Sequence, residues 1–157
     1  MTLDDARNLA IIAGTFIAAC TLVKAVREYA RDNAQKRAEQ YSELRKQFKE
    51  NERFQELLEK LDKDDPSLEG LPYAEKTDFL GFYEDIALAV NSGLLKKEVV
   101  HYMFGYYAIR CWKSQNFWSN LERNSHYWAL FKHFALEMIA VEEKFKVEPP
   151  QVKSFRF

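Results

Sequence analysis

The sequence predicts an all-α protein: a single N-terminal transmembrane helix continues into a stalk helix, and a cytoplasmic bundle of three to four helices follows. The first observation behind this prediction is a run without charged residues from Leu9 to Val23. The second is the stretch from Lys24 to Asp65, which lacks Pro and Gly and is rich in strong helix formers. The third is the helical spacing of apolar residues after Lys76, with no period-two alternation long enough for a strand.

The N-terminal run is predicted to cross a membrane. Counted to Val26, with Lys24 extending its ammonium toward the interface, it provides roughly 18 residues and about 27 Å of helix against a hydrocarbon core of about 30 Å. Two alternatives stay open. A buried helix of a soluble protein would carry a polar stripe, which is absent here. A lipoprotein signal peptide fits "IAAC", ending at Cys20, but "MTLDDARN" lacks the positive n-region that a signal peptide needs.

The charges that flank this run predict its orientation. The N-terminal flank is net acidic, whereas the C-terminal flank is basic, with Lys24, Arg27, Arg31, Lys36 and Arg37. Because positively charged flanks stay in the cytoplasm, the N-terminus is expected outside and the C-terminal domain inside. The sequence therefore predicts a single-pass protein of a bacterial inner membrane, with membrane lipid around the span.

Two sets of residues predict self-association. Small residues recur every four positions in the span and would let helix backbones approach closely in lipid, although a chance repeat is the alternative; they are Ala6, Ala10, Gly14 and Ala18. Apolar residues also form a seam along the stalk, to be covered by a neighbouring copy or by the bundle; they are Tyr41, Leu44 and Phe48. A homo-oligomer is the expected result.

The chain is expected to divide into five segments. They are the transmembrane helix at 1–26, a charged helical stalk at 27–65, a loop at 66–75, the helical bundle at 76–146 and a tail at 147–157. Within the stalk, "KENER" shifts the phase of the apolar residues, which predicts a break near Lys49 to Glu52 and a second helix to about Lys63. The acids, Pro and Gly of "DKDDPSLEGLPY" indicate the loop.

The bundle of three to four helices is predicted to have an unusually aromatic core, and the sequence marks three of its helices. Thr77 is the expected N-cap of the first, and Gly93 ends it in the manner of a C′ glycine. The second helix is broken by "KSQN". The last is expected to run from about Phe117 to Phe145, where "EPPQ" stops it.

The composition gives little sign of catalytic chemistry. A net charge of −1 provides no general attraction to nucleic acid. The 2 Cys residues have no neighbouring Cys or His, and none of the 3 His residues lies in a metal-ligand pattern. Gly-rich phosphate loops and nucleophile elbows are also missing. We therefore expect no cofactor and no metal.

One short motif, "LERNSHYW", carries a possible catalytic pair. Its Arg123, Asn124 and His126 resemble the Arg-polar dipeptide and His of HEPN-type ribonucleases, a family of small all-α domains. The resemblance implies that Arg123 stabilises phosphorane charge and that His126 acts as general acid or base on RNA. The spacing departs from the family, which places four to six residues between Arg and His. The alternative is structural, with Arg123 paired to an acid such as Glu84 or Asp85.

A wider pattern covers most of residues 75–145. The helix and glycine step "FYEDIALAVNSGLL", followed by an aromatic helix, resembles an uncharacterised bacterial family of small membrane-anchored α-helical proteins, classed as a domain of unknown function. The layout is similar, more loosely, to the HEPN-like membrane accessory protein of type VI CRISPR systems. Together these resemblances imply a membrane-anchored interaction or assembly protein with a cytoplasmic protein partner and a role in anti-phage defence. A HEPN-like ribonuclease or degenerate accessory protein is the alternative.

Overall fold

A computed structural model describes residues 3–151 and 155, with side chains placed from residue 12 onwards. None of these residues lies in a strand, which confirms the all-α prediction. The chain divides into two compact units, Met1–Ala38 and Glu39–Phe157. In the first, the described residues belong to one helix, and in the second they form a helical bundle.

Seven α-helices account for most of the described residues. They are α1 (Leu3–Glu50), α2 (Glu52–Lys63), α3 (Tyr73–Asn91), α4 (Lys97–Val100), α5 (Tyr106–Lys113), α6 (Gln115–Trp118) and α7 (Ala129–Val147). A π-helical segment, His101–Gly105, joins α4 directly to α5. Short 3-10 helices occupy Pro66–Leu68 and His126–Trp128.

The prediction of a transmembrane helix is wrong. Among the described residues, no helix is both long enough and apolar enough to cross a bilayer. The uncharged run ends at Val23, and Lys24, Arg27 and Glu28 follow it on the same helix. The run from Leu9 to Val23 corresponds to about 22 Å of helix, which is short of a hydrocarbon core of about 30 Å. The single-pass location in a bacterial inner membrane, with the N-terminus outside, is wrong for the same reason.

The predicted break in the long N-terminal helical region is confirmed. Helix α1 ends at Glu50, and Asn51 caps α2 by accepting a hydrogen bond from the backbone N–H of Phe54 at 3.3 Å. This bond satisfies one of the backbone donors that a helix start leaves free. The cap therefore lets the chain turn and present the apolar face of α2.

Helix α2 ends at Lys63, and its C-cap residue Asp64 adopts a left-handed conformation with φ 46°. Its carboxylate accepts hydrogen bonds from the Ser114 hydroxyl at 2.5 Å and from the Gln115 backbone N–H at 3.3 Å. The bond from Ser114 is the main reason that the pKa of Asp64 lies below its usual value. One residue thus caps α2 and holds it against the junction of α5 and α6.

Aromatic rings fill the core of the second unit, as the sequence predicts. Phe48, at the end of α1, stacks on Phe82 with ring centroids 5.5 Å apart and meets the edge of Phe104 at 5.3 Å. Tyr83 is fully buried, and its hydroxyl donates to the Phe104 carbonyl at 3.2 Å. Helix α2, which precedes the predicted start of the bundle at residue 76, also contributes to this core, with Phe54, Leu57, Leu58 and Leu61.

The first helix of the predicted bundle begins earlier than expected. Helix α3 starts at Tyr73 directly after Pro72, and Thr77 lies inside it, where its hydroxyl donates to the Ala74 carbonyl at 3.0 Å. The N-cap prediction at Thr77 is therefore wrong. The prediction at the other end is confirmed, because Gly93 follows the C-cap residue Ser92 and has φ 72°. This left-handed conformation favours glycine.

The predicted helix from Phe117 to Phe145 is wrong as a continuous element. Helix α6 ends at Trp118, and ten residues in turns and a 3-10 helix separate it from α7. Polar side chains stabilise this irregular segment: Asn120 donates to the Glu69 carbonyl at 2.9 Å, and Ser125 accepts from the Tyr127 N–H at 3.4 Å. Ser and Asn often favour such local bonds over a helix interior.

Candidate functional surfaces

Arg123 lies in the turn between α6 and α7, exposed to solvent, and not on the predicted helix. Its guanidinium donates to the Trp112 carbonyl at 3.3 Å and lies over the Trp112 ring at 5.1 Å. Lys132 lies near the same ring at 5.8 Å and donates to the Asn124 amide oxygen at 3.0 Å. These contacts give Arg123 a partner other than the acids Glu84 and Asp85 considered from the sequence.

His126 begins the 3-10 helix that precedes α7, and it is also exposed. Its ring contacts that of Tyr127, with centroids 4.0 Å apart and the ring planes tilted by 36°. Arg123 and His126 therefore share one short segment, but each has its own aromatic neighbour. The catalytic role of this pair stays a prediction.

The described residues offer no set of ligands for a metal ion. No group of three or more His, Cys, Asp or Glu side chains among them is arranged to hold one. Cys20 is exposed on α1, whereas Cys111 is buried, and burial raises the pKa of its thiol well above the usual value. A thiol held in its neutral form is a poor nucleophile and a poor metal ligand.

Lys76 is a charged residue in the core that sequence analysis missed. Its side chain is almost fully buried, its ammonium donates to the Glu69 carbonyl at 3.4 Å, and it lies 5.6 Å from the centre of the Phe117 ring. Burial lowers the pKa of this ammonium. The signal in the sequence is its position one turn before Phe79 and Leu80, on the apolar face of α3. The carbonyl and the ring supply the partners that a buried cation requires.

The π-helical segment is a second feature that periodicity did not reveal. It begins at His101, whose ring meets the edge of Phe145 at 5.3 Å and packs over Gly105, where an added Cβ would lie 2.7 Å from the ring. The Nε2 atom of His101 is buried and has no hydrogen-bond partner among the described residues, and burial lowers the pKa of the ring. Single π-helical turns are frequent at functional sites. Here the segment supplies the carbonyl of Phe104 that Tyr83 contacts.

The first unit exposes a row of large apolar side chains on α1. More than half of each side chain is accessible to solvent, up to 72% for Tyr29; the others are Ile12, Phe16, Ile17, Leu22, Val23 and Val26. Charged residues appear on this part of the helix only from Lys24 onwards, where Lys24 pairs with Glu28 at 3.8 Å. An apolar surface of this extent typically marks an interaction site.

The residues predicted for self-association fall into three groups. The side chains of Ala6 and Ala10 lie outside the described residues. Gly14 and Ala18 are exposed, and a Cβ added at Gly14 would meet no atom within 4 Å. Leu44 and Phe48 are buried in the core of the second unit, and Tyr41 packs against it. The sequence left open whether a neighbouring copy or the bundle buries these stalk residues. In the structure, the bundle of the same chain buries them.

Comparison with known proteins agrees with the expectation of an uncharacterised family. Neither the curated proteins nor the solved structures include a match to this chain. The family described as "Domain of unknown function (DUF4760)" matches residues 8–138, and nothing in that match indicates membrane anchoring or likeness to HEPN proteins. Because the match spans most of the sequence, the chain belongs to the DUF4760 family.

Proposed function

We propose that this chain is a non-catalytic helical protein that works by associating with copies of itself through the N-terminal part of α1. The observation that carries the proposal is the exposure of seven large apolar side chains between Ile12 and Tyr29. In water each such side chain favours burial, at about 25 cal/mol per Å² of apolar area removed from solvent. A second copy supplies the matching apolar surface.

The other expected functions have less support. RNA cleavage is not proposed, because Arg123 is bonded to Trp112 and the ring of His126 contacts that of its neighbour Tyr127. A further protein partner and a role in bacterial defence rest on the resemblance alone. Self-association is supported by the solvent exposure of apolar side chains on α1 of this chain.

A polar substitution test addresses this proposal. Replacing Phe16, Leu22 and Val26 together with Gln should reduce the mass of the particle to that of a monomer, because the apolar area that drives association is lost. The mass is measured by light scattering after size-exclusion chromatography. Circular dichroism should show that the bundle stays folded, since these side chains make no part of its core.

The matched control replaces Leu88 and Leu136 with Gln. These residues are also exposed, at 56% and 47%, but they lie on α3 and α7. The control should keep the mass of the wild type. A wild-type chain that is monomeric at every concentration, or a control that dissociates while the triple variant does not, would refute self-association through α1.

A further inference from the structure

We infer that two copies pack antiparallel along one stripe of α1, with the two-fold axis beside Thr21. This inference rests on the proposed self-association and adds the face, the orientation and the register. The stripe, called here the N-terminal stripe, consists of Ile12, Phe16, Ala19, Val23, Val26 and Ala30. All six residues are exposed.

The spacing of the N-terminal stripe is that of a two-helix seam. Its members follow one another at intervals of four, three, four, three and four residues, which is the alternation of a heptad repeat. Each member therefore lies on the same side of the helix, where a partner helix contacts all of them at once. Gly14 and Ala18, the small residues predicted for association, fall outside this repeat.

The order of large and small residues favours the antiparallel arrangement. With the axis beside Thr21, Ile12 lies opposite Ala30 of the other copy, Phe16 opposite Val26, and Ala19 opposite Val23. The two alanines of each copy then face larger side chains, so that side chains fill the space between the helices. A parallel pair in register instead places Phe16 against Phe16 and each Ala against Ala, which crowds one layer and leaves gaps in two others.

The charges favour the same orientation. The C-terminal half of the stripe region, residues 24–32, holds three cations and two acids and so carries a net charge of +1, whereas residues 12–23 carry no charge; the cations are Lys24, Arg27 and Arg31, and the acids are Glu28 and Asp32. A parallel pair would bring both sets of cations to the same height. In the antiparallel pair each set lies beside the uncharged half of the other copy, and the two Arg27 positions are about 18 Å apart along the axis.

The accessible area is sufficient for a specific dimer. Leu22 and Tyr29 flank the stripe and add to its large side chains, which are between 51% and 72% exposed. Together these side chains provide on the order of 600 Å² per copy, or about 1,200 Å² for the pair, which is the lower end of the range for stable interfaces. A second copy of this chain is therefore an adequate occupant of the stripe.

Disulfide trapping in the full-length chain tests the register. All variants carry Cys20→Ser, because Cys20 is exposed, whereas Cys111 is buried and retained. Chains with Ile12→Cys and chains with Ala30→Cys, carrying tags of different mass, are mixed and oxidised. The antiparallel register predicts a mixed disulfide, since opposed positions bring the Cα atoms within the roughly 4.4–6.8 Å that a disulfide spans.

A control and a second measurement separate the outcomes. Ala25→Cys replaces Ala30→Cys as the matched control on another face of the helix, and it should give no mixed disulfide with Ile12→Cys. A disulfide between two Ala30→Cys chains would overturn the antiparallel orientation, and a multimer without disulfides would overturn the stripe while leaving self-association standing. A monomeric Cys20→Ser chain would refute both self-association and the antiparallel stripe. Binding of that monomer to anionic lipid vesicles through α1 would likewise count against both.

Discussion

Replacing Phe48 with Ala is expected to lower the free energy of unfolding by about 3–5 kcal/mol. The Phe48 side chain is 4% exposed, and its ring contacts those of Phe82, Tyr83, Phe104 and Tyr107. Removing it leaves a cavity that these large, interlocked rings fill poorly. Chemical denaturation followed by tryptophan fluorescence measures the change.

The control for this prediction is Phe16→Ala, the same substitution on the same helix. Phe16 is 69% exposed, so its loss should change the stability of the bundle by no more than about 0.5 kcal/mol when the protein is dilute. Equal effects of the two substitutions would contradict the assignment of Phe48 to the core.

Replacing Gly105 with Ala should destabilise the fold by roughly 1–3 kcal/mol. The added Cβ would lie 2.7 Å from Cδ2 and 3.1 Å from Cγ of His101, a ring that Phe145 confines from the other side. The π-helical segment must shift to accommodate it. Thermal and chemical unfolding of the variant provide the measurement.

Two further variants check the cause. Gly81→Ala, in α3, meets no atom within 4 Å and should stabilise the protein by up to about 1 kcal/mol, as Gly to Ala does in an open helix. Combining Gly105→Ala with His101→Ala removes the obstructing ring and should recover part of the loss. If the double variant is no more stable than expected from adding the two single effects, the steric explanation fails.

The predictions that held rest on local chemistry. The break at the end of α1 and the Gly93 terminus each depend on a few neighbouring residues, because caps and left-handed glycines satisfy backbone groups within one turn. The prediction of a continuous helix from Phe117 was wrong, although local residues that favour a turn were present there too. The segment "SNLERNS" contains the Ser and Asn residues that favour turns, but the apolar spacing on both sides concealed it.

The transmembrane prediction failed because it depended on a marginal length. The prediction reached a spanning length only by counting past Lys24 to Val26, and no helix among the described residues is long and apolar enough to cross a membrane. The partners of Lys76, Arg123 and Phe48 could not be predicted for a different reason. Each is contacted by residues outside its own helix or turn, and apolar periodicity predicts which face of a helix is buried but not which residues cover that face.

Amide hydrogen exchange, measured by mass spectrometry over a range of protein concentrations, tests most directly whether copies of α1 cover each other. A helix without tertiary contacts opens readily, and its amides gain protection only when a partner binds the helical form. Peptides from residues 12–30 should become more protected as the concentration rises, whereas peptides from α3 should not change. Rapid exchange of residues 12–30 at every concentration would contradict self-association through the N-terminal helix.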